Sequence, residues 1–347
     1  MTHPSTSWDL RLRIDGQELA AKYMQSVASV KVLQDIGAAG SVALAINAPK
    51  DEIYAWLDDA KVDEGSPIEV EMGTTQRRGL VFAGEITGLD ISFSGRLAVS
   101  LSLRGYDGRH RMMRARSPRS YERVKDSDIA LQIGRKHGLQ VRATVTKTVH
   151  PYLLQAEQSD LEFLKQRAAA NGFEVVVIGK TLHFRPCQHK SPPSLRLSAE
   201  TDLLDFHAAV TSMNQATEVQ VGGWDVVNKK AIVGKASSSS LGRGSGPVRS
   251  KDVFGPAPIT GGEFPVASQA EAEARAASQL QDLALAHVSA EATVHGDSAI
   301  EAGMVVEIRD VGSRFSGNYY VTSAGHDFEL VGSRRYETRL TMRRAAS

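Results

Sequence analysis

The sequence predicts an α+β protein that is mainly β, with two β regions on either side of an α/β insert. Three observations carry this prediction. Apolar and polar residues alternate in short runs near both ends of the chain, as in strands that bury one face. The middle of the chain contains helices with recognisable first and last turns. Glycine-rich turns separate the short runs, which favours a sandwich or a small barrel for the β regions.

The first hundred residues contain the clearest alternation. Apolar residues alternate with charged ones from Trp8 to Ile14, and a turn follows at Asp15-Gly16. One short helix is predicted from about Asp51 to Asp58. The same period of two recurs in three further runs: Val42 to Ile46, Ile68 to Met72 and Leu97 to Leu103.

The middle of the chain begins near Asp107 and contains two helices. The first follows Asp126-Ser127-Asp128 and ends in cations and a glycine at Arg135-Lys136-His137-Gly138. The second starts at a capping box, in which the Ser159 hydroxyl accepts from the amide of Glu162 and the Glu162 carboxylate accepts from the amide of Ser159.

A strand pair follows the second helix directly. Asn171-Gly172 supplies a left-handed helix stop. The segments Val175 to Ile178, Gly179-Lys180 and Leu182 to Phe184 then read as strand, turn and strand.

The last part of the chain returns to strands after a break at Ser191-Pro192-Pro193. Residues 236–262 are rich in Gly, Ser and Pro and are expected to form a long surface loop. Ser268 and Glu271 predict a second capping box at the start of a helix that runs to about His287, with a face that packs on a core. Strands are expected at four places: Ala216 to Val221, Val305 to Ile308, Asn318 to Thr322 and Tyr336 to Met342.

These changes of pattern divide the 347 residues into four parts. Residues 1–106 form a first β domain, and residues 107–190 form the α/β insert. Residues 191–235 together with 288–347 form a second β domain, which residues 236–287 interrupt as a loop and a helix. No repeat is visible in residue identities, although two β regions can share a fold without sharing a sequence.

Composition excludes several classes of protein. The 41 basic and 40 acidic residues nearly cancel, so the whole molecule has no general attraction to nucleic acid or to an anionic membrane. Cys187 is the one cysteine, so an internal disulfide cannot form, which fits synthesis in a reducing cytoplasm. The N-terminus lacks the basic and apolar regions of a signal peptide, and no apolar run approaches the ~18 residues of a membrane span.

Four blocks of sequence can be compared with known families: Phe82 to Leu89, Arg104 to Asp107, Ser159 to Pro186, and Phe315 to Thr322 with His326-Asp327-Phe328 after it. They resemble the phage late control gene D family, the hub proteins of contractile tail baseplates. The same blocks resemble the hub part of type VI secretion spikes and of extracellular contractile injection systems. Gly222-Gly223-Trp224-Asp225, ahead of Lys229-Lys230, is a weaker fifth match.

The resemblance implies a fold and a role. Proteins of this family carry two β-barrel domains that are related to tail-tube subunits, and three copies present six barrels in a ring. Such a homotrimer joins the hexameric inner tube to a trimeric spike and contacts other baseplate proteins, without catalysis, cofactor, metal or membrane anchor. The chain is then made in the bacterial cytoplasm and ends in a virion or injection particle. Nothing after Arg343 resembles a spike, so a separate spike protein is expected.

A basic run stands at the start of the predicted insert. Residues 107–125 include seven basic residues and two acidic ones. A docking surface for a neighbouring subunit is the first interpretation; contact with nucleic acid, or an ordinary solvated surface, are the alternatives. Aromatic residues that could stack on bases are nearly absent, so nucleic acid is the less favoured partner. The candidate interface residues are Arg109, Arg111, Arg114, Arg116, Arg119 and Arg123.

Other candidate chemistry has a structural explanation. His183, Cys187 and His189 lie close in sequence, but a structural zinc site usually has paired cysteines, so ordinary packing is expected. Asp160 and Glu162 could form a hydrolytic carboxylate pair, as in a tail-associated cell-wall hydrolase, yet charges in a first helical turn are explained by the helix dipole. The glycines of Gly242 to Gly246 lack the spacing of a phosphate-binding loop.

Overall fold

The structure is a computed structural model. It describes residues 7–59, 61–94, 98–213, 215–225, 228–237, 255–261, 266, 268–332 and 334–345. Strands dominate these residues, and most of them pair antiparallel, which confirms the predicted α+β, mainly β class. The loop glycines of residues 242–246 lie outside the described residues.

Seven strands and two short helices make up the first β unit. Its helices are α1 (Ala21–Met24) and α2 (Lys50–Leu57). The strands are β1 (Trp8–Ile14), β2 (Gln17–Glu18), β3 (Val27–Asp35), β4 (Ser41–Ala48), β5 (Pro67–Thr74), β6 (Arg78–Ser94) and β7 (Ala98–Tyr106).

The insert follows, with three helices and five strands. The helices are α3 (Arg109–Met113), α4 (Asp126–Lys136) and α5 (Asp160–Asn171). The strands are β8 (Arg119–Lys125), β9 (Gln140–Ala143), β10 (Val149–Gln155), β11 (Phe173–Ile178) and β12 (Thr181–Pro186), after which a 3-10 turn spans Gln188–Lys190.

The described residues after the insert form nine strands and one helix, α6 (Gln269–Leu285). We call β13, β14 and β18 to β21 the second β unit. The strands are β13 (Leu195–Ser198), β14 (Leu203–Val210), β15 (Glu218–Asp225), β16 (Lys230–Ser237), β17 (Pro258–Gly261), β18 (Val288–His295), β19 (Val305–Arg309), β20 (Gly317–Glu329) and β21 (Arg335–Arg344).

The two β units repeat one topology. In the first unit, neighbouring strands follow the order β3, β4, β7, β6, β5 and β1. In the second unit the order is β14, β18, β21, β20, β19 and β13, which is the same order when the strands are matched along the chain. The match extends through five consecutive strands with antiparallel pairing, and only the last pair differs, because β13 runs parallel to β19 whereas β1 runs antiparallel to β5.

The repeat also holds at the level of individual residue pairs. The β3–β4 ladder shifts register between Val27 and Ser29, and the β14–β18 ladder shifts at the equivalent place, between Leu203 and Asp205. A second pair of shifts matches in the same way: β6 against β7 at residues 86–88, and β20 against β21 at residues 321–323. Two bulges at equivalent positions show an internal duplication that residue identities do not reveal.

One strand pair joins the two units into a single large sheet. β20 pairs antiparallel with β3 over seven residues, from Ser323 opposite Asp35 to Glu329 opposite Ser29. Two side chains of the second unit, Phe328 and Tyr336, also enter the core of the first unit, while the rest of the second unit keeps a core of its own. Tyr336 packs edge-on against Trp8, with ring centroids 5.5 Å apart.

The insert has its own core and its expected helix signals. Ser159 and Glu162 form the predicted capping box, with N···O distances of 3.2 and 2.7 Å. Gly172 ends α5 in the left-handed conformation, at φ 66°. β11 and β12 then form the predicted hairpin, whose parallel neighbour is β9. This insert core is built from α4, α5 and the three-stranded sheet.

Strands β15 and β16 do not lie in the sheet to which the predicted domain division assigns them. The sequence places residues 218–235 in the second β domain. In the structure β15 pairs with β16 on one side and with β17 on the other, in a separate three-stranded sheet. Helix α6 packs on this sheet through Ala272, Ala276 and Leu280. The helix backbone lies directly against β16 at Gly234, where an added Cβ would overlap the backbone of Ala272. The division into four parts otherwise stays a prediction.

The bulge in β6 depends on glycine where β6 and β7 come close. A Cβ added to Gly105 would lie 2.5 Å from the Glu85 carbonyl oxygen and 3.0 Å from Val42. We therefore expect Gly105→Ala to lower the free energy of unfolding by about 2 kcal/mol, since a close-packed ladder must separate to admit the methyl group. Urea unfolding followed by circular dichroism measures the change.

Gly88 provides the matched control in the same ladder. A Cβ at Gly88 meets nothing within 4 Å. Gly88→Ala should therefore shift the unfolding midpoint by little, within about 0.5 kcal/mol. Equal midpoints for the two variants would contradict this account of the bulge.

Candidate assembly surface

The joined sheet presents one broad polar face. Along its strands every second side chain is buried, as Val30 and Val32 are in β3, and the side chains between them point to the other side. A groove of about 340 Å³ lies on this face where the two units meet. Its lining includes Lys31, Leu33, Ala43, Gly325, Asp327 and Arg339.

Charges on this face cancel between neighbouring strands. Arg339 lies 3.1 Å from Asp327 across the β20–β21 pair. Arg335 pairs at 3.1 Å with Glu329 and at 3.2 Å with Glu337. Exposed pairs of this kind add little stability. Both of these arginines therefore have acidic side chains beside them.

The basic run is not exposed throughout. Arg109 is buried, with 2% of its surface exposed, so its prediction as an interface residue is wrong. Its guanidinium pairs with Asp107 at 2.8 Å and also donates to the Asp35 carbonyl at 2.9 Å. Asp107 in turn accepts from the amide of Gly40 at 2.7 Å, so the pair ties the start of α3 to the β3–β4 turn.

The other arginines of the run lie on the surface, and two of them have partners within the chain. Arg111 pairs with Glu85 at 2.7 Å, and Arg116 pairs with Glu162 at 2.7 Å. Arg114 and Arg123 are exposed, and Arg119 is half-buried. An interface role for these five stays a prediction.

A buried ionic cluster connects the insert to α6. The Arg167 guanidinium donates to Asp126 at 2.6 Å and to Glu271 of α6 at 3.2 Å. Asn171 donates to Asp126 at 2.8 Å, and the His150 ring lies 3.1 Å from both Asp126 and Arg167. Burial alone would raise the pKa of Asp126, but these hydrogen bonds outweigh it and lower that pKa to about 2.

Sequence reasoning missed this cluster. The sequence places Asp126 just before the helix, whereas in the structure Asp126 is its first residue, Lys125 is the N-cap, and the Asp126 side chain is buried. Glu271 was interpreted as half of a capping box; Ser268 does accept from its amide at 3.2 Å, and its carboxylate reaches Arg167. The sequence does contain one indication of the cluster. Arg167 lies on the apolar face of α5, and an arginine buried at such a position needs a charged partner.

The second polar cluster lies where the insert meets β20. Tyr320 donates to Glu174, which also pairs with Arg185 at 2.8 Å. Cys187 is nearby, and burial together with the negative charge of Glu174 raises the pKa of its thiol to about 11. Among the described residues, no group of three or more His, Cys, Asp or Glu side chains is placed to hold a metal ion.

The two carboxylates at the start of α5 have structural partners. Asp160 accepts from Lys136 at 2.7 Å and from Gln155 at 2.9 Å, and His137 lies 2.7 Å from it. Burial raises its pKa, and these hydrogen bonds more than reverse the effect, which leaves the pKa at about 2. Glu162 caps the helix and pairs with Arg116.

Removing Arg167 should be costly. Arg167→Met keeps the volume but removes the cation that pairs with the buried Asp126 carboxylate, so we expect a loss of about 3–5 kcal/mol in the free energy of unfolding. Arg116→Met removes an exposed pair and is the matched control, for which we expect little change. Similar unfolding curves for both variants would contradict the role of the cluster.

Comparison with known proteins identifies the fold. The family model described as "Alg8 N-terminal domain" matches residues 5–329. No curated protein matches the sequence. None of the helices in the described part of the chain has both the length and the apolar character that crossing a bilayer requires.

Solved structures of tail proteins superpose over nearly the whole chain. The 43 kDa tail protein of prophage MuSo2 from Shewanella oneidensis has a TM-score of 0.75 at 13% identity, over 97% of this chain and 98% of that one. The tail protein from Neisseria meningitidis MC58 has a TM-score of 0.73 at 15% identity, over 97% and 96% of the two chains.

A third solved structure is the E. coli c3393 protein, a component of the type VI secretion system, with a TM-score of 0.62 at 12% identity over 97% of this chain and 77% of that one. The predicted resemblance to tail and secretion-spike proteins is therefore confirmed at the level of the fold. The chain belongs to the family described as the Alg8 N-terminal domain, and its fold is that of phage tail proteins.

Proposed function

We propose that this protein is a structural hub of a contractile tail or contractile injection system. In this role it forms a homotrimer that joins the hexameric inner tube to a trimeric spike and contacts other baseplate proteins. The observation that carries the proposal is the internal duplication, which gives each chain two β units with the same strand order and the same two bulges. The likeness in fold to tail proteins supports it.

The duplication matters because of symmetry. A tube with six subunits and a spike with three cannot meet through one set of identical contacts. A chain with two equivalent units provides six similar surfaces in a ring of three copies. On the opposite side, everything outside the repeat, such as the insert and α6, occurs three times and can match the spike.

The polar face of the joined sheet suits the inside of such a ring. Helix α2 packs on the buried side of the sheet, against β4 and β7, and needs the larger circumference, so it lies outside. The inner surface then carries small and polar side chains and ion pairs that neutralise each other, such as Arg339 with Asp327. Such a surface attracts neither a positively nor a negatively charged polymer strongly.

An enzymatic role is the alternative. The observation that favours it is the family description, which is a name related to glycosyltransferases. A tail-associated cell-wall hydrolase is the other enzymatic interpretation of the sequence. Turnover of purified cell wall or of an activated sugar by the purified chain would support an enzyme, and a nucleic-acid module would instead show a salt-dependent gel shift.

The hub proposal predicts a defined complex. Co-expression with the tube and spike proteins of the same gene cluster should yield a particle whose mass includes three copies of this 37.5 kDa chain and three of the spike. Native mass spectrometry measures the stoichiometry. A chain that stays monomeric and binds neither partner would contradict the proposal.

The exposed arginines of the basic run are proposed to contact a neighbouring baseplate protein. Arg114→Glu combined with Arg123→Glu should reduce incorporation into baseplates several-fold, because like charges would then face the partner's acidic groups. Lys147→Glu, a charge reversal elsewhere on the insert surface, is the matched control. Quantitative blotting of purified particles measures incorporation, and normal incorporation of the double variant would contradict this docking role.

A further inference from the structure

Among the strand edges that remain unpaired in the described residues, two matter for assembly: those of β6 and β14, one in each β unit. β6 pairs with β7 along residues 85–94, and its other edge has a partner, β5, over residues 78–85 alone. β14 pairs with β18 on one side and with no described strand on the other. Neither edge contains the proline or lysine with which proteins often protect a free edge.

The β6 edge exposes apolar side chains that its duplicate buries. Ile91 and Phe93 lie opposite the buried residues Leu101 and Val99, so they point to the core side of the sheet, yet they are 39% and 56% exposed. The equivalent residues of β20 are His326 and Phe328, which are 0% and 1% exposed.

The β14 edge shows the same contrast. Phe206 and Ala208 point to the core side, opposite Ala292 and Ala290, and both are half-buried. Their equivalents in β3 are Val30 and Val32, which are buried, at 0% and 2% exposed.

The cause of both contrasts is the β3–β20 junction. Within the chain, β3 covers the edge of β20, and the two strands bury each other's inward side chains. β6 is the duplicate of β20, and β14 is the duplicate of β3. The free edge of β6 therefore corresponds to the edge of β20 that pairs with β3, and the free edge of β14 corresponds to the edge of β3 that pairs with β20.

We infer that the free edge of β6 pairs antiparallel with the free edge of β14 of a second copy of this chain, in the register of the β3–β20 junction. Transferred through the two duplicated ladders, that register makes three inward pairs. They are Phe93 with Phe206, Ile91 with Ala208, and Leu89 with Val210. The ring of three that this pairing serves rests on the proposed hub function.

The pairing is head to tail, because β6 of one copy meets β14 of the next. Contacts of this type close into a ring when each step turns by a suitable angle, and then neither the β6 edge nor the β14 edge is left exposed. Backbone hydrogen bonds hold the copies together, while inward apolar residues fix the register, since a slip by one residue would turn Phe93 away from the core.

Disulfide trapping tests the register. Ser92 and His207 are exposed and become directly opposite in the inferred pair, so their Cα atoms should lie about 4.5–5.5 Å apart, within the range of a disulfide. The experiment uses Ser92→Cys with His207→Cys in a Cys187→Ser background. Ser92→Cys with Ser289→Cys is the matched control, because position 289 lies one strand further from the edge.

Oxidised samples are analysed on non-reducing gels, both for the chain purified alone at high concentration and for the complex with tube and spike proteins. We expect covalent dimers and trimers from the 92–207 pair and at least tenfold less from the control. A trimeric complex without the 92–207 cross-link would overturn the inferred pairing and leave the hub function standing. Cross-linking of the chain alone, without any complex, would support the pairing and count against the hub.

A single substitution gives an independent test. Phe93→Asp should leave the thermal stability of the free chain unchanged, because Phe93 is 56% exposed there. Added to the 92–207 cysteine pair, the same substitution should reduce cross-linking between copies at least tenfold. Val145→Asp places the same charge at a 71% exposed apolar residue of the insert and should have no effect. If the Phe93→Asp variant formed as much of the 92–207 cross-link as the Val145→Asp variant, the inference would be overturned.

Discussion

The pairing of β20 with β3 brings together parts of the chain that are far apart in sequence: the Ser323 hydroxyl donates to the carbonyl of Gln34, 289 positions away. The ladder makes one sheet of two units, and Phe328 and Tyr336 from the second unit complete the core of the first. Closing so long a loop costs entropy before any contact forms, so we expect this junction to form late in folding. The groove on the polar face lies along this junction.

Local features of the fold could be predicted from the sequence, because they depend on a few neighbouring residues. The capping box at Ser159 and the stop at Gly172 are set by hydrogen bonds and backbone conformation within one helix. The β3–β20 ladder, the fate of Arg109 and the Asp126–Arg167 cluster could not, since each depends on partners brought together by tertiary structure. Alternation shows that a strand has a buried face and does not show which strand lies beside it.

The segments that resemble tail proteins mark places where the fold leaves little choice of residue. Gly84 and Gly105 both lie where β6 bends toward β7, and a Cβ at either would overlap the backbone of the opposite strand. Tyr319 is buried, donates to the Phe315 carbonyl at 2.6 Å and has the Arg344 guanidinium over its ring at 4.9 Å. These residues maintain the sheet and its bends, so a resemblance built on them identifies a fold, and the role of the protein depends on how copies of that fold assemble.

Contacts between copies are inferred to use the chain's internal β3–β20 junction as their template. Hydrogen–deuterium exchange tests this inference directly, because backbone amides in a paired strand exchange slowly and those at a free edge exchange quickly. In the free chain, amides of residues 88–94 and 205–210 should exchange faster than those of the equivalent strands, 323–329 and 29–34. On assembly with tube and spike, both sets should become protected together, as the account predicts. Assembly that leaves the exchange of residues 88–94 and 205–210 unchanged would contradict it.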